Sequence, residues 1–126
     1  GSQYAFSSRD GSGAYLDGSK TYKVNIPANP PANRFWSFVV YDPQTRSMLQ
    51  SKEMPYPSKN NKRNPDMVKN TDGSTDLYFG PKAPVGKEAN WVKTVPGKGW
   101  FGIFRLYGPG QEWFDRTWKL GAIEKL

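Results

Sequence analysis

The sequence predicts an all-β domain, a two-sheet antiparallel sandwich of about eight strands with under roughly a tenth of its residues helical. Aromatic residues make up 15% of the 126 residues, and they are accompanied by eleven prolines and thirteen glycines. Short aromatic segments with Pro and Gly turns every ~8 to 12 residues are typical of sandwiches and barrels. A chain of this length can bury roughly two thirds of its unfolded surface, which is enough for one core.

The amino-terminal segment has no sustained hydrophobic period. Residues 1–12 are rich in Ser, Gly and Asp, so we predict a flexible lead-in there and a single sandwich domain over residues 13–126. The first two residues, Gly and Ser, are typical of a pair left by cloning, and a targeting segment could have preceded them. The sequence therefore leaves localisation open.

Two strands are predicted in the first third of the chain. Residues 21–26 alternate apolar and polar side chains, the period of two of a strand with one packed face. Residues 34–42 carry aromatic or β-branched side chains at both alternating positions, which predicts a central strand buried on both faces. Residues 51–69 hold three prolines and five basic residues, so we predict a long loop.

The remaining strands are predicted at residues 75–79, 91–95 and 100–107, with one helical turn within residues 112–118 and a closing strand within residues 119–125. Apolar side chains at inward positions of these strands should form the core. The predicted core members are Tyr22, Val24, Phe35, Val39, Leu77, Ile103, Phe104 and Leu106.

One charged residue interrupts the second aromatic strand. Arg105 has apolar neighbours on both sides in the sequence, and a guanidinium is costly to bury unless it is paired. We therefore expect either a carboxylate partner, with Asp42 and Asp76 as the first candidates, or a cleft in which Arg105 binds an anion.

Metal and cofactor chemistry has little support in this sequence. The chain has no Cys and no His, which excludes thiolate and imidazole ligands and every catalytic triad that needs them. Residues 97–102 match G-x-G-x-x-G, but an aromatic strand follows rather than a helix. We predict no cofactor, no metal and no catalytic residue, and an enzyme role would need residues from another domain or chain.

The net charge of +7 raises the question of nucleic acid. The aromatic residues fall at predicted core positions instead of alternating with cations on one platform, as single-strand binding would require. Nucleic acid is therefore not the expected partner. No apolar run reaches the ~20 residues of a membrane-spanning helix.

Several short motifs in a fixed order resemble those of the bacterial domain of unknown function 1214. They are Asp17-Gly18, Tyr22, Pro30-Pro31, Phe35-Trp36-Ser37, Tyr41-Asp42, Asp72-Gly73-Ser74, Asn90-Trp91, Phe104-Arg105-Leu106-Tyr107 and Trp118. The resemblance covers residues 15–125. It implies a jelly-roll-like sandwich and a second domain or chain as partner. It also implies a periplasmic or secreted location in preference to a cytoplasmic one.

Two functions are consistent with these observations. The first is a non-catalytic scaffold or interaction module, with a homo-oligomer as one form. The second is a module that binds a carbohydrate or another small molecule, because five tryptophans exceed what a core of this size usually takes. The candidate ligand-binding residues are Arg34, Trp36, Asn90, Trp91, Arg105 and Tyr107.

Overall fold

The computed structural model describes residues 1–49, 51, 54 and 57–126. Within that part of the chain, eight strands, one 3-10 turn (Glu88–Asn90) and a single-turn helix α1 (Gln111–Phe114) are present. The strands are β1 (Ser2–Ser7), β2 (Tyr22–Ile26), β3 (Ala32–Tyr41), β4 (Ser58–Asn60), β5 (Thr75–Gly80), β6 (Trp91–Lys93), β7 (Phe101–Pro109) and β8 (Glu124–Lys125).

The strands form two four-stranded sheets. The first sheet has the order β1-β7-β3-β4 and is antiparallel throughout, and the second has the order β6-β5-β2-β8. In the second sheet only the β5–β6 pair is parallel among the described pairings. The predicted all-β, two-sheet architecture is therefore confirmed, and the predicted antiparallel pairing is found in every described strand pair except β5–β6.

The core lies between the inward faces of the two sheets. Alternate residues of β3 and β7 face those of β2 and β5, and Phe38 meets Phe79 with ring centroids 4.9 Å apart. Each fully buried apolar side chain of this kind contributes roughly 1.5–3 kcal/mol relative to an exposed one. The strand members of this core are Tyr22, Val24, Ile26, Trp36, Phe38, Val40, Leu77, Phe79, Val92, Phe104 and Leu106.

The prediction that residues 34–42 are buried on both faces is wrong. β3 is an inner strand of its sheet as expected, but only Trp36, Phe38 and Val40 enter the core. The opposite face of β3 lies outside the sandwich, where Phe35 and Val39 are only partly buried. A two-sheet sandwich covers one face of each sheet, so apolar residues on the second face do not indicate a second packed layer.

The predicted core is consequently correct in part. Five of its members are buried, namely Tyr22, Val24, Leu77, Phe104 and Leu106. The other three lie half-buried on the outer face of the first sheet, namely Phe35, Val39 and Ile103. In each case the residue does lie in a strand as predicted, but its side chain points to the outer face of the sheet and not to the core.

A strand, β1, forms within residues 1–12, the segment predicted as a flexible lead-in. Ser2–Ser7 pair with β7 residue by residue, from Ser2 opposite Tyr107 to Ser7 opposite Gly102. The segment has little apolar character, but the β7 ladder satisfies its backbone groups, and the Phe6 ring packs 5.1 Å from that of Phe101. Pairing with β7 thus accounts for a strand that the segment's own pattern does not predict.

Two further segments differ from expectation. The loop predicted for residues 51–69 contains β4, which pairs with β3; residues 52, 53, 55 and 56 of that loop lie outside the described part of the chain. The predicted closing strand shrinks to β8, two residues paired with β2.

Candidate ligand-binding groove

The outer face of the first sheet carries a groove of about 560 Å³, which we call the basic groove. Strands β3, β4 and β7 form its floor, and the segments that flank β3 and β4 form its rim. Three of its described lining residues are cationic and none is acidic. The lining residues are Phe35, Ser37, Val39, Tyr41, Met48, Ser58, Asn60, Lys62, Arg63, Arg105 and Tyr107.

Three polar residues cross the floor of the groove in one line. Ser37 of β3 lies opposite Arg105 of β7 on one side and opposite Asn60 of β4 on the other. We call this line the donor row. Ser37 and Asn60 are 6% and 7% exposed, respectively, so only a small part of each side chain reaches the groove.

The donor row keeps hydrogen-bonding capacity free. Asn60 Oδ1 accepts the backbone N–H groups of Lys62 and Arg63 at 2.9 and 2.6 Å, which leaves the Nδ2 end as a donor. Within the described residues, neither Asn60 Nδ2 nor the Ser37 hydroxyl has a partner, and neither atom is fully shielded from solvent. Both groups can therefore bind an incoming acceptor.

Arg105 does not have either of its predicted carboxylate partners. Asp42 binds the Lys98 ammonium at 3.0 Å, and the Asp76 carboxylate accepts the side-chain amides of Asn25 and Asn70. Across the residues that the structure describes, no carboxylate lies within ion-pair distance of Arg105. The pairing prediction is wrong, and Arg105 instead lies half-buried in the cleft that the alternative required.

An aromatic pair closes one end of the groove. Phe35 and Tyr107 stack with ring centroids 4.3 Å apart and planes at 20°. The Lys62 ammonium lies 5.7 Å from the centroid of Phe35, a distance at which the ring attracts the cation. This contact holds a second positive charge next to the donor row.

The opposite end of the groove is apolar. Val39 and Tyr41 follow Ser37 on the same face of β3, and Met48 is bridged to Tyr41. Tyr41 stacks on Phe101 with centroids 5.2 Å apart, which fixes its ring at the edge of the groove. At about 3.3 Å per residue, the line from Phe35 to Tyr41 is about 20 Å long.

The six residues predicted to bind ligand do not converge on one place. Arg105 and Tyr107 share the basic groove. Arg34 is exposed on the same strand as the floor but does not line the groove, and Trp36 is buried in the core at 3% exposure.

Asn90 ends the 3-10 turn that precedes β6, and Trp91 is the first residue of β6, so both lie at the second sheet and not at the sheet that carries Arg105. Asn90 is buried, and its side chain binds the backbone of Val68 and Asp76. Trp91 is half-buried at the end of β6, where its Nε1 donates to the carbonyl of Gly80. These contacts give both residues structural roles.

No tryptophan is among the described residues that line the basic groove. Trp36, Trp100 and Trp118 are buried in the core. Trp113 and Trp118 line a separate depression, together with Arg116 and Lys119. The tryptophans that motivated the carbohydrate hypothesis therefore do not form this groove, whose described rings are Phe35, Tyr41 and Tyr107.

Sequence reasoning missed Ser37, Asn60 and Lys62 as site residues. The signal that could have identified Ser37 is its phase, since it shares a strand face with Phe35 and Val39. Lys59 shows the same effect in β4: it lies opposite Phe38, on the inward face, and burial lowers the pKa of its ammonium. Alternation in β4 therefore turns Lys59 away from the groove, whereas Lys62 and Arg63 reach it from the turn that follows β4.

The Asp42–Lys98 contact predicts a pH-dependent stability. The hydrogen bond from Lys98 lowers the pKa of Asp42, with help from the backbone N–H of Gln44 and against the effect of burial. A carboxylate with a lowered folded-state pKa stabilises the fold above its unfolded pKa of about 3.9, and this contribution is lost as the pH falls through the folded-state value.

We expect Asp42→Asn to lower the urea midpoint more near pH 7 than near pH 3, because the stabilisation by the charged carboxylate is lost progressively as the pH falls below the unfolded pKa of about 3.9 and through the lower folded-state pKa. Urea titrations of both proteins at the two pH values measure this difference. An equal loss at both values would show that shape, and not charge, accounts for the contribution of Asp42.

The described part of the chain shows neither a metal-binding cluster nor a helix that could span a membrane. No group of three or more Asp or Glu side chains there is placed to hold a metal ion. The helices of that part are too short and too polar to cross a bilayer.

Comparison with known proteins supports a family assignment. The structure resembles the VPA0106 protein of Vibrio parahaemolyticus, with a TM-score of 0.82 and 25% sequence identity across 99% of this chain. An uncharacterized protein from Burkholderia cenocepacia matches over 99% of the chain, with a TM-score of 0.62 and 19% identity, a likeness of fold alone. No curated protein matches.

The chain spans 30% and 29% of the length of these two structures, respectively. The family profile described as "Protein of unknown function (DUF1214)" matches residues 1–111, most of the chain. The chain therefore belongs to the DUF1214 family.

Proposed function

We propose that this domain is a non-catalytic binding module whose basic groove takes a negatively charged ligand. The observation that carries the proposal is the state of Arg105, which is half-buried and has no carboxylate partner among the described residues. Partial burial removes some of the water that would solvate the guanidinium, so an anion that enters the groove would fill a place that no described carboxylate fills. A bound oxyanion would pair with it through two parallel hydrogen bonds.

The surroundings of Arg105 favour the same ligand class. Ser37 and Asn60 add two hydrogen-bond donors in line with the guanidinium, and Lys62 adds a charge at the rim. The chain has a net charge of +7, which raises the encounter rate with anions at low ionic strength. The groove therefore combines long-range attraction with a fixed set of donors.

Sulfate titration tests this proposal. In two-dimensional amide NMR spectra, we expect saturable shifts at residues of β3, β4 and β7 around the donor row, and we expect Arg105→Met to abolish them. Arg34→Met is the matched control, because Arg34 is an exposed cation outside the groove. Equal saturable shifts in the Arg105 variant would reject the anion site.

Thermal unfolding gives an independent readout of the same variant. Because Arg105 lacks a described partner, Arg105→Met should leave the melting temperature in salt-free buffer unchanged or raise it. Sulfate stabilises proteins generally by exclusion from their surface, so the measured quantity is the extra stabilisation of wild type over the variant. A variant that melts much lower without sulfate would mean that Arg105 has a structural partner.

A scaffold or interaction role is the second candidate function. On edge strand β1, the side chains of Tyr4 and Phe6 are 64% and 57% exposed, respectively. Tyr4 lies opposite Arg105, on the sheet face that carries the groove. An unprotected edge with exposed aromatic residues is suited to pairing with another chain. The partner would be a second domain or chain of the same protein system, or a second copy.

Sedimentation of the wild type and of Phe6→Lys across a concentration range tests the homo-oligomer form. We expect wild-type self-association that the added charge weakens. A monomer at every concentration would contradict it.

A periplasmic or secreted location remains part of the proposal on the family resemblance alone. The carbohydrate hypothesis is less favoured because the tryptophans lie outside the basic groove.

A further inference from the structure

We infer, on the basis of the anion site proposed above, that the groove binds an amphiphilic organic anion. Its oxyanion head would lie on the donor row, and its apolar tail would run along Val39, Tyr41 and Met48. The separation of charge and apolar surface along β3 carries this inference, because an inorganic anion would leave half of the groove unused.

Successive rows of the sheet face show the separation. The row of Ser37 contains Arg105 and Asn60, whereas the next row pairs Val39 with Ile103 and Ser58. The row after that pairs Tyr41 with Phe101 and is bridged to Met48. Polarity therefore falls within two rows, a distance of about 13 Å at about 3.3 Å per residue.

The cations lie at one end of this gradient. Lys62 is held near Phe35, and the backbone N–H of Arg63 binds Asn60 at the end of the donor row. No described lining residue at the Tyr41 end is charged. A ligand with charge at both ends would therefore place one charge on apolar surface, which favours a ligand with a single anionic end.

The head group is defined by the donors that face it. A guanidinium presents a planar fork that matches the two oxygens of a carboxylate or of a phosphate monoester. Ser37 and Asn60 extend the fork along one line across the sheet, so that the oxygens can bind more than one donor. Carboxylate and phosphate heads share this chemistry, and separate ligand series distinguish them.

The experiment is a chain-length series. Dissociation constants of acetate, butanoate, hexanoate and octanoate are measured by amide NMR titration below micelle-forming concentrations, with the alkyl phosphates as a parallel series. Full burial of a methylene strengthens binding about fourfold, so in this open groove we expect about two- to fourfold per methylene.

Two variants locate the two ends of the ligand. Arg105→Met should abolish binding of the whole series, acetate included. Val39→Thr keeps the β-branched shape and the strand preference but makes the tail row more polar, so it should flatten the dependence on chain length. Arg34→Met serves again as the control, with the wild-type slope.

The outcomes separate this inference from the proposed function. Affinity that depends on Arg105 but not on chain length would overturn the amphiphile and leave the anion site standing. A chain-length dependence that survives both variants would place the tail in another apolar depression and also overturn the inference. No binding of any carboxylate, phosphate or sulfate would remove the anion site itself.

Discussion

Replacing Gly18 with alanine is expected to destabilise the fold by about 3 kcal/mol or more, at the upper end of single substitutions. A Cβ atom at this position would lie 2.0 Å from the carbonyl oxygen of Val95 and 2.6 Å from that of Lys98. Both neighbours are backbone atoms, so no side-chain rotation can relieve the overlap.

The backbone at Gly18 is also held in place from two sides. Its N–H donates to the Lys98 carbonyl at 2.8 Å, and its carbonyl accepts the buried Thr94 hydroxyl at 2.8 Å. Moving the segment to make room for a methyl group would break these bonds and leave buried polar groups without partners. Steric overlap and lost hydrogen bonds therefore act together.

Urea denaturation of Gly18→Ala measures the effect, and Gly11→Ala is the matched control. A Cβ at Gly11 would have its nearest neighbour at 3.5 Å, an ordinary contact with Ala122, so the control should change stability by within about 0.5 kcal/mol. Equal stability of the two variants would contradict the close approach at Gly18.

The sequence predicts where the strands of this fold lie better than it predicts which face of each strand turns to the core. β2 and β5 were placed correctly in phase, because each has apolar residues on one face and polar residues on the other. β3 gave no such signal, since both of its faces are apolar. Its phase depends on β7, where Gly102 leaves the space that the Phe38 ring fills: a Cβ there would lie 2.3 Å from the ring.

The candidate groove could be predicted only in part for a related reason. Arg105 was identified because a charge in an aromatic strand needs an explanation. Ser37 and Asn60 were not identified, because they meet Arg105 only through the pairing of β3 with both β4 and β7. Such long-range register is not encoded in local periodicity, and β4 lies in a segment whose prolines indicate a loop.

Asn90 is the second position at which a large effect is expected, and it was predicted to bind ligand. The structure gives it three hydrogen bonds to backbone: Oδ1 accepts the N–H of Val68 at 2.8 Å, and Nδ2 donates to the carbonyls of Val68 and Asp76 at 2.9 and 2.8 Å. At about 0.5–1.5 kcal/mol for each bond, Asn90→Ala should lower the unfolding free energy by about 2–4 kcal/mol.

The same variant separates a structural role from a binding role. Asn90 holds the segment around Val68 against β5, whereas the basic groove lies on the outer face of the other sheet. Asn90→Ala should therefore lose stability, but its folded molecules should keep the wild-type sulfate affinity at Arg105. Asn33→Ala is the control, because Asn33 is exposed and its side chain has no hydrogen bond within the described residues. Urea denaturation gives the first quantity and amide NMR titration the second. Weaker sulfate binding at unchanged stability would instead indicate that Asn90 belongs to the ligand site. A purely structural residue changes the fraction of molecules that are folded, but it does not change the sulfate affinity of the folded molecules.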